Sequence, residues 1–274
     1  MNWRSEYKKC LMDTTRKYMI ENYVFRKPLW EIQCELLDFI NNKKKTIVTK
    51  SRDVGFTDIM VAYVACELVL NSDGINDGNF IVYYCTPTYM LGNDFYNKVL
   101  QYIKKIPHEL YSCESFGIGQ SSKEIEIGKS ILKIVDKDTI SKSLISCNLI
   151  IADEIVAGVV NNNFHTGNLI AMSKLFGDNK TIIGSVPNHK NIEWFNIIKE
   201  AKEEGNYFVM PWWSNPKHKI GASDEKIPTI TSNGEIEYYN KWYANRKYMY
   251  HDKDSFNEEI CCKVWREKVV KEYI

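Results

Sequence analysis

The stretch Lys50–Asp58, KSRDVGFTD, decides how the rest of the chain is read. It follows TIVT (46–49) and precedes the apolar run IMVAYVACELVL (59–70), so it joins a short buried strand to a buried helix. That junction is where a phosphate-binding loop belongs, because backbone amides at a helix N-terminus receive anions. Against the pattern G-x-x-x-x-G-K-[ST], residues 50–57 keep the second glycine as Gly55 and the hydroxyl as Thr57. Phe56 stands at the lysine position, and Lys50 stands where the first glycine belongs. Either Lys50 supplies the phosphate cation from the head of the loop, or it is a surface lysine and the loop is degenerate.

Working outward, the segment PLWEIQCELLDFINN (28–42) has a one-sided apolar pattern and is expected to be a helix beginning at Pro28. The opening 30 or so residues also read as helix. FIVYYC (80–85), CNLIIADE (147–154), TIIGSVPN (181–188) and YFVMP (207–211) are expected strands, with a helix over about 92–105. KEIEIGKSILKIV (123–135) alternates polar and apolar residues about Gly128-Lys129 and reads as a hairpin. Continuous apolar strands alternating with helices specify a mostly parallel α/β sheet covered on both faces. Such sheets bind ligands at the carboxyl ends of their strands, so residues 50–57, 86–88, 153–154 and 185–188 are expected along one edge. The last 55 residues, including EIEYYNKWYANRKYMY (235–250), look helical and aromatic-rich.

Composition narrows the class without naming a function. The 274 residues carry a net charge of +1, 44% hydrophobic residues and 26% charged residues, ordinary for a globular protein. Near-neutrality gives no overall electrostatic case for nucleic acid, although a local basic face can still bind phosphates. The eight cysteines form no C-x-x-C pair, which argues against zinc and for buried thiols in a reducing compartment. The charged amino terminus lacks the apolar core of a signal peptide. No run reaches the ~18 apolar residues of a membrane span. The reading is a soluble intracellular protein.

Triphosphate hydrolysis needs amides and a cation around the phosphates, a hydroxyl and an acid around Mg²⁺, and a group that orients water. LIIADE ends a buried strand in two acids: Asp153 suits the metal shell and Glu154 suits the attacking water. Gln33, 17 residues before Lys50, offers the donor and acceptor that an adenine edge requires.

Taken in order, Gln33, KSRDVGFT, LIIADE and IIGSVPN resemble the ATPase domain of a large terminase subunit, the DNA-packaging motor of tailed bacteriophages. PWWSNP (211–216) and SFNEEICCKV (255–264) resemble later segments of that family, so the resemblance covers roughly residues 20–265. It implies a RecA-like P-loop fold (the additional-strand, catalytic-glutamate class) with ATP and Mg²⁺ as ligands. Some members carry a displaced lysine at the start of the loop, which gives Lys50 the phosphate. The implied nucleotide site is Gln33, Lys50, Ser51, Arg52, Asp53, Val54, Gly55, Phe56 and Thr57. Thr57 and Asp153 are the implied metal residues, Glu154, Lys50 and Arg52 the catalytic ones, and Ser185 couples hydrolysis to movement. Arg52 either meets the γ-phosphate or pairs with a neighbouring acid.

Two departures stand out. The coupling turn is S-V-P where the family more often has S-T-P, and DTISKSLIS (138–146) lacks the Arg-Gly pair that many relatives carry, leaving Lys142 as a poor substitute. The resemblance further implies double-stranded DNA, a portal protein and a small terminase subunit as partners. It implies a homo-oligomeric ring when assembled (a monomer in isolation) and residence in the host cell cytoplasm, off the membrane. The expected organisation is an amino-terminal helical segment (1–30), an ATPase core (31–215) and a helical extension (216–274). The chain is too short for the family's nuclease domain, so no nuclease activity is expected. The alternatives are a helicase-like nucleic-acid ATPase and a non-hydrolysing nucleotide-binding assembly protein. NKKKT (42–46) reads as a solvated turn, and Lys217, His218 and Lys219 beside Trp212 and Trp213 are a weak candidate for DNA contact.

Overall fold

The computed structural model describes residues 15–73, 78–110, 116–119, 124–136, 147–154, 179–187, 192–219, 229–230, 236–237 and 249. Helix α1 (Thr15–Met19) runs into a π-helical turn (Ile20–Val24), and α2 spans Glu31–Asn42. Strand β1 (Lys45–Lys50) leads through the phosphate-loop candidate into α3 (Phe56–Leu70). Then come β2 (Phe80–Thr86), α4 (Tyr89–Ile103), β3 (Phe116–Gly119), β4 (Glu124–Ile127), β5 (Ser130–Asp136), β6 (Leu149–Asp153), β7 (Lys180–Ser185), α5 (Ile192–Glu203) and β8 (Tyr207–Met210).

Eight strands form one sheet in the order β3-β4-β5-β2-β6-β7-β1-β8. The five strands β2, β6, β7, β1 and β8, together with β5, are joined by parallel pairings; β3 and β4 add antiparallel pairs at one edge. Both faces are covered, and side-chain alternation shows how. Val48, Val82, Tyr84, Leu149, Ile151 and Ile182 join the cluster built with α2, α3 and α4. Their neighbours Ile47, Tyr83, Cys85, Ile150, Ala152 and Ile183 join Trp194, Ile197, Ile198 and Ala201 of α5 on the other face. Helix α3 is buried on nearly every side because it lies inside this sandwich, which explains its lack of a polar face.

The expected strands and hairpin are present within a residue or two. Three local expectations change. Helix α2 begins at Glu31, not Pro28, because Trp30 is extended (ψ 150°) and its N–H is received at 3.1 Å by Gln33 Oε1, a self-made cap. The opening segment is not helical throughout: residues 25–30 leave the helix, with Arg26 at φ 54°. Ile236–Glu237 pairs antiparallel with Thr229–Ile230 where a helix was expected; residues 238–248 and 250–274 lie outside the described residues. Strand β3 was missed because FGIG carries no alternation of its own and is defined by pairing with β4. Met19, Ile20 and Val24 belong to the same cluster as α3, so residues 19–24 pack on the core.

Candidate functional site

Because β2, β6, β7 and β1 are adjacent and parallel, their carboxyl ends share one edge of the sheet. Lys50 is the last residue of β1 and is only 4% exposed. Its ammonium contacts Glu154 Oε1 and lies 3.4 Å from Asp153 Oδ1. Burial pulls this ammonium down, and the two carboxylates outweigh burial, so its pKa ends above the ordinary lysine value. Lys50 is therefore no surface lysine.

Thr57, at the start of α3, donates its hydroxyl to Asp153 Oδ2 at 2.6 Å. Tyr84 of β2 donates to the same oxygen at 3.4 Å, held there by stacking on Phe95 with ring centroids 3.5 Å apart. Burial first, and then the charges of Asp153 and Glu154, push the Tyr84 phenol well above its ordinary value, so it stays a neutral donor. Asp153 Oδ1 and Glu154 Oε2 are buried without a hydrogen-bond partner. The Thr57 hydroxyl and the Asp153 carboxylate, whose Oδ1 meets only the Lys50 ammonium at 3.4 Å, are hard oxygen donors that fit Mg²⁺, which takes one or two protein oxygens and fills its octahedron with water and phosphate. Glu154 has φ 57°, in the left-handed region, and its N–H donates to Gly184 O at 3.0 Å. That turn brings its carboxylate to Lys50.

The loop turns into α3 through a left-handed glycine. Gly55, at φ 76°, precedes α3, and no side chain caps the helix. A Cβ at Gly55 would meet Gln33 Nε2 at 2.7 Å and the Trp30 ring at 3.1 Å, so a side chain here strains the backbone and displaces Gln33 and Trp30. Gln33 does lie beside the loop, but its amide serves the protein's own backbone: besides capping Trp30, Nε2 donates to Gly55 O at 3.4 Å. One N–H and one lone pair remain on it. Ser51 and Val54 are buried, whereas Arg52 and Asp53 are exposed.

Phe56 does more than occupy the place of the usual lysine. Its ring covers Gly184 of β7, where an added Cβ would fall 2.2 Å from the ring, and the Lys50 ammonium sits 5.4 Å from the ring centroid. Ser185, beside Thr49 in register, is fully buried and follows that glycine directly. Phe56 thus links the loop to the strand end that carries Ser185. Residues 137–146, including Lys142, and residues 188–191 lie outside the described residues.

The sequence reading missed Tyr84, Trp30 and Asn215. Asn215, in the segment after β8, donates to Asp53 O at 2.5 Å. The signal for it was the PWWSNP stretch, whose polar member has a place in the loop's support. His218, a weak candidate for DNA contact, is 5% exposed and bonded to Asn215 and Trp212, which rules out that contact in this conformation.

No protein-family model matches the chain, and no curated protein matches it by sequence. Solved structures do. The large terminase of bacteriophage HK97 superimposes with a TM-score of 0.61 at 14% identity, over 90% of this chain and 53% of that one. The large terminase ATPase domain of Thermus phage P74-26 gives 0.55 at 12% identity, over 88% of this chain and 96% of that domain. The large terminase of the thermophilic bacteriophage D6E in complex with ADP gives 0.53 at 12% identity, over 85% and 52%. The chain spans about half the length of the HK97 and D6E proteins. Among the described residues no helix is long and apolar enough to cross a membrane. The chain shares its fold, a mostly parallel RecA-like sheet flanked by helices, with the ATPase domains of bacteriophage large terminases.

Proposed function

We propose that this chain is the ATP-hydrolysing motor domain of a large terminase, driving double-stranded DNA into a procapsid. The observation that carries this reading is the convergence, at one sheet edge, of a buried lysine, an uncapped helix N-terminus after a left-handed glycine, and a threonine–aspartate–glutamate set. The amides of residues 54–57 bind phosphate, and Lys50 moves its ammonium from Glu154 to the terminal phosphate. Thr57 and Asp153 hold Mg²⁺, which neutralises charge on the phosphates when bound. Glu154, released from Lys50, accepts the proton of the attacking water. Arg52, exposed at the loop, reaches the γ-phosphate from the solvent side. Phe56 on Gly184 passes a change at the loop to Ser185. A small terminase subunit, a portal and other copies of the chain in a ring are the partners, within the host cytoplasm. Residues 31–215 form the ATPase unit, and 216–274 the extension from it.

The test is Mg²⁺-ATP binding and steady-state turnover by the parent, Lys50→Ala and Glu154→Gln. Binding is expected in the parent and in Glu154→Gln, and is lost in Lys50→Ala. Turnover is expected in the parent alone. Equal turnover in Glu154→Gln and parent overturns the role of Glu154, and equal binding in Lys50→Ala and parent overturns that of Lys50. A parent that binds without hydrolysing favours the assembly-protein alternative. Double-stranded DNA is expected to raise the parent's rate, and a rate indifferent to it removes the motor reading while leaving the ATPase.

A further inference from the structure

Asn215 lies 162 residues beyond the loop it touches, and every polar atom of its side chain is assigned. Nδ2 donates one hydrogen to Asp53 O at 2.5 Å and faces His218 Nε2 at 3.2 Å with the other. Oδ1 accepts from Lys217 N–H at 2.9 Å. His218 Nδ1 lies 2.8 Å from Trp212 O. A carbonyl only accepts, so Nδ1 carries the imidazole hydrogen and Nε2 is the acceptor for Asn215. This tautomer and this amide orientation require each other. Asn215 and His218 are 4% and 5% exposed, so water does not substitute for either bond.

The group they hold is unusual. Asp53 is a non-glycine residue at φ 60°, in the left-handed region that few L-residues other than Asn and Asp adopt. Just before the segment that carries Asn215, the end of β8 holds the start of the loop, where the β1–β8 pairing continues as Ser51 N–H to Met210 O at 2.9 Å. The turn at Asp53 sets the direction of the amides of Val54, Gly55, Phe56 and Thr57.

We infer that Asn215 and His218 form a clasp that positions the phosphate loop, with Asn215 fixing the Asp53 carbonyl and His218 fixing Asn215. Both are positioning residues: they act on nucleotide binding through the loop backbone. This inference rests on reading residues 50–57 as the phosphate loop.

The experiment measures Mg²⁺-ATP affinity, KM, kcat and amide exchange of residues 51–57 in the parent, Asn215→Asp, His218→Leu and His218→Gln. Asn215→Asp keeps the shape, loses both donors and sets a carboxylate against a carbonyl. It is expected to weaken ATP binding on the order of tenfold, to raise KM far more than it lowers kcat, and to speed exchange in the loop. His218→Leu is expected to act in the same direction, and His218→Gln, whose amide can accept from Asn215 and donate to Trp212, to recover affinity. If Asn215→Asp does not fold, the two His218 variants decide the matter. Variants that lose thermal stability while keeping parental affinity and loop exchange overturn the clasp. A parent that binds no ATP overturns the functional reading, and the clasp with it; a parent that binds while the variants match it overturns the clasp alone.

Discussion

Replacing Lys50 with methionine tests the central electrostatic arrangement without any nucleotide. Lys50 is 4% exposed, its ammonium touches Glu154 and lies 3.4 Å from Asp153, and the Asp153 side chain is 2% exposed. Methionine retains most of the volume and removes the charge, leaving the buried Asp153 carboxylate beside that of the partly exposed Glu154. Breaking a buried pair by deleting one partner costs roughly 3–5 kcal/mol, mainly as the penalty of the charge left behind. For a chain of this size that corresponds to a fall in Tm on the order of 10 °C. The compensating change is Glu154→Gln, which removes one of the two stranded charges. Lys50→Met/Glu154→Gln is therefore expected to be more stable than Lys50→Met alone, with a coupling energy of about 1–3 kcal/mol between the sites. The assay is chemical denaturation of the four chains of the cycle in chelator at neutral pH. A Lys50→Met protein as stable as the parent, or a double variant no more stable than the single one, refutes the reasoning.

Gly184→Ala forces a methyl into the Phe56 ring at 2.2 Å; a stability loss of about 1–3 kcal/mol is expected, read by denaturation, together with reduced ATP turnover. Thr57→Val removes the 2.6 Å bond to Asp153 and is expected to cost about 1–3 kcal/mol and to raise the Mg²⁺ concentration needed for half-maximal hydrolysis. Burial pushes the Cys147 thiol up to about 11 from 9.0, so above pH 9 the unfolded chain loses a proton that the folded chain keeps. Stability from this group is complete below pH 9 and is lost as pH rises to about 11, by up to about 2.5 kcal/mol, so Cys147→Val is expected to flatten the Tm–pH curve there.

How much was legible beforehand differs by element, for physical reasons. Residues 46–50, 80–85 and 149–153 read as strands because a strand buried on both faces carries a short apolar run, here residues 47–48, 80–85 and 149–152. Hairpin 124–136 was legible from its own alternation. The helix expected at Ile236–Glu237 failed because an aromatic-rich run carries no information about which segment will pair with it, and Thr229–Ile230 does. Strand β3 failed for the same reason, and the start of α2 was decided by the bond from Trp30 N–H to Gln33.

The sequence by itself determined a parallel α/β sheet and the local chemistry of its strand ends: Lys50 and Thr57 around Gly55, and Asp153 beside Glu154. Those follow from short-range rules, the period of burial and the residue types a turn admits. Only the tertiary structure decided that β7 lies between β6 and β1, so that Lys50 meets Asp153 and Glu154 across about a hundred residues. It also decided that Phe56 fills the space over Gly184, that Tyr84 reaches Asp153 and that Asn215 holds Asp53. Each is a contact between segments far apart in the chain. Strand order and register are set by the packing of all the layers together, and no single segment contains that information.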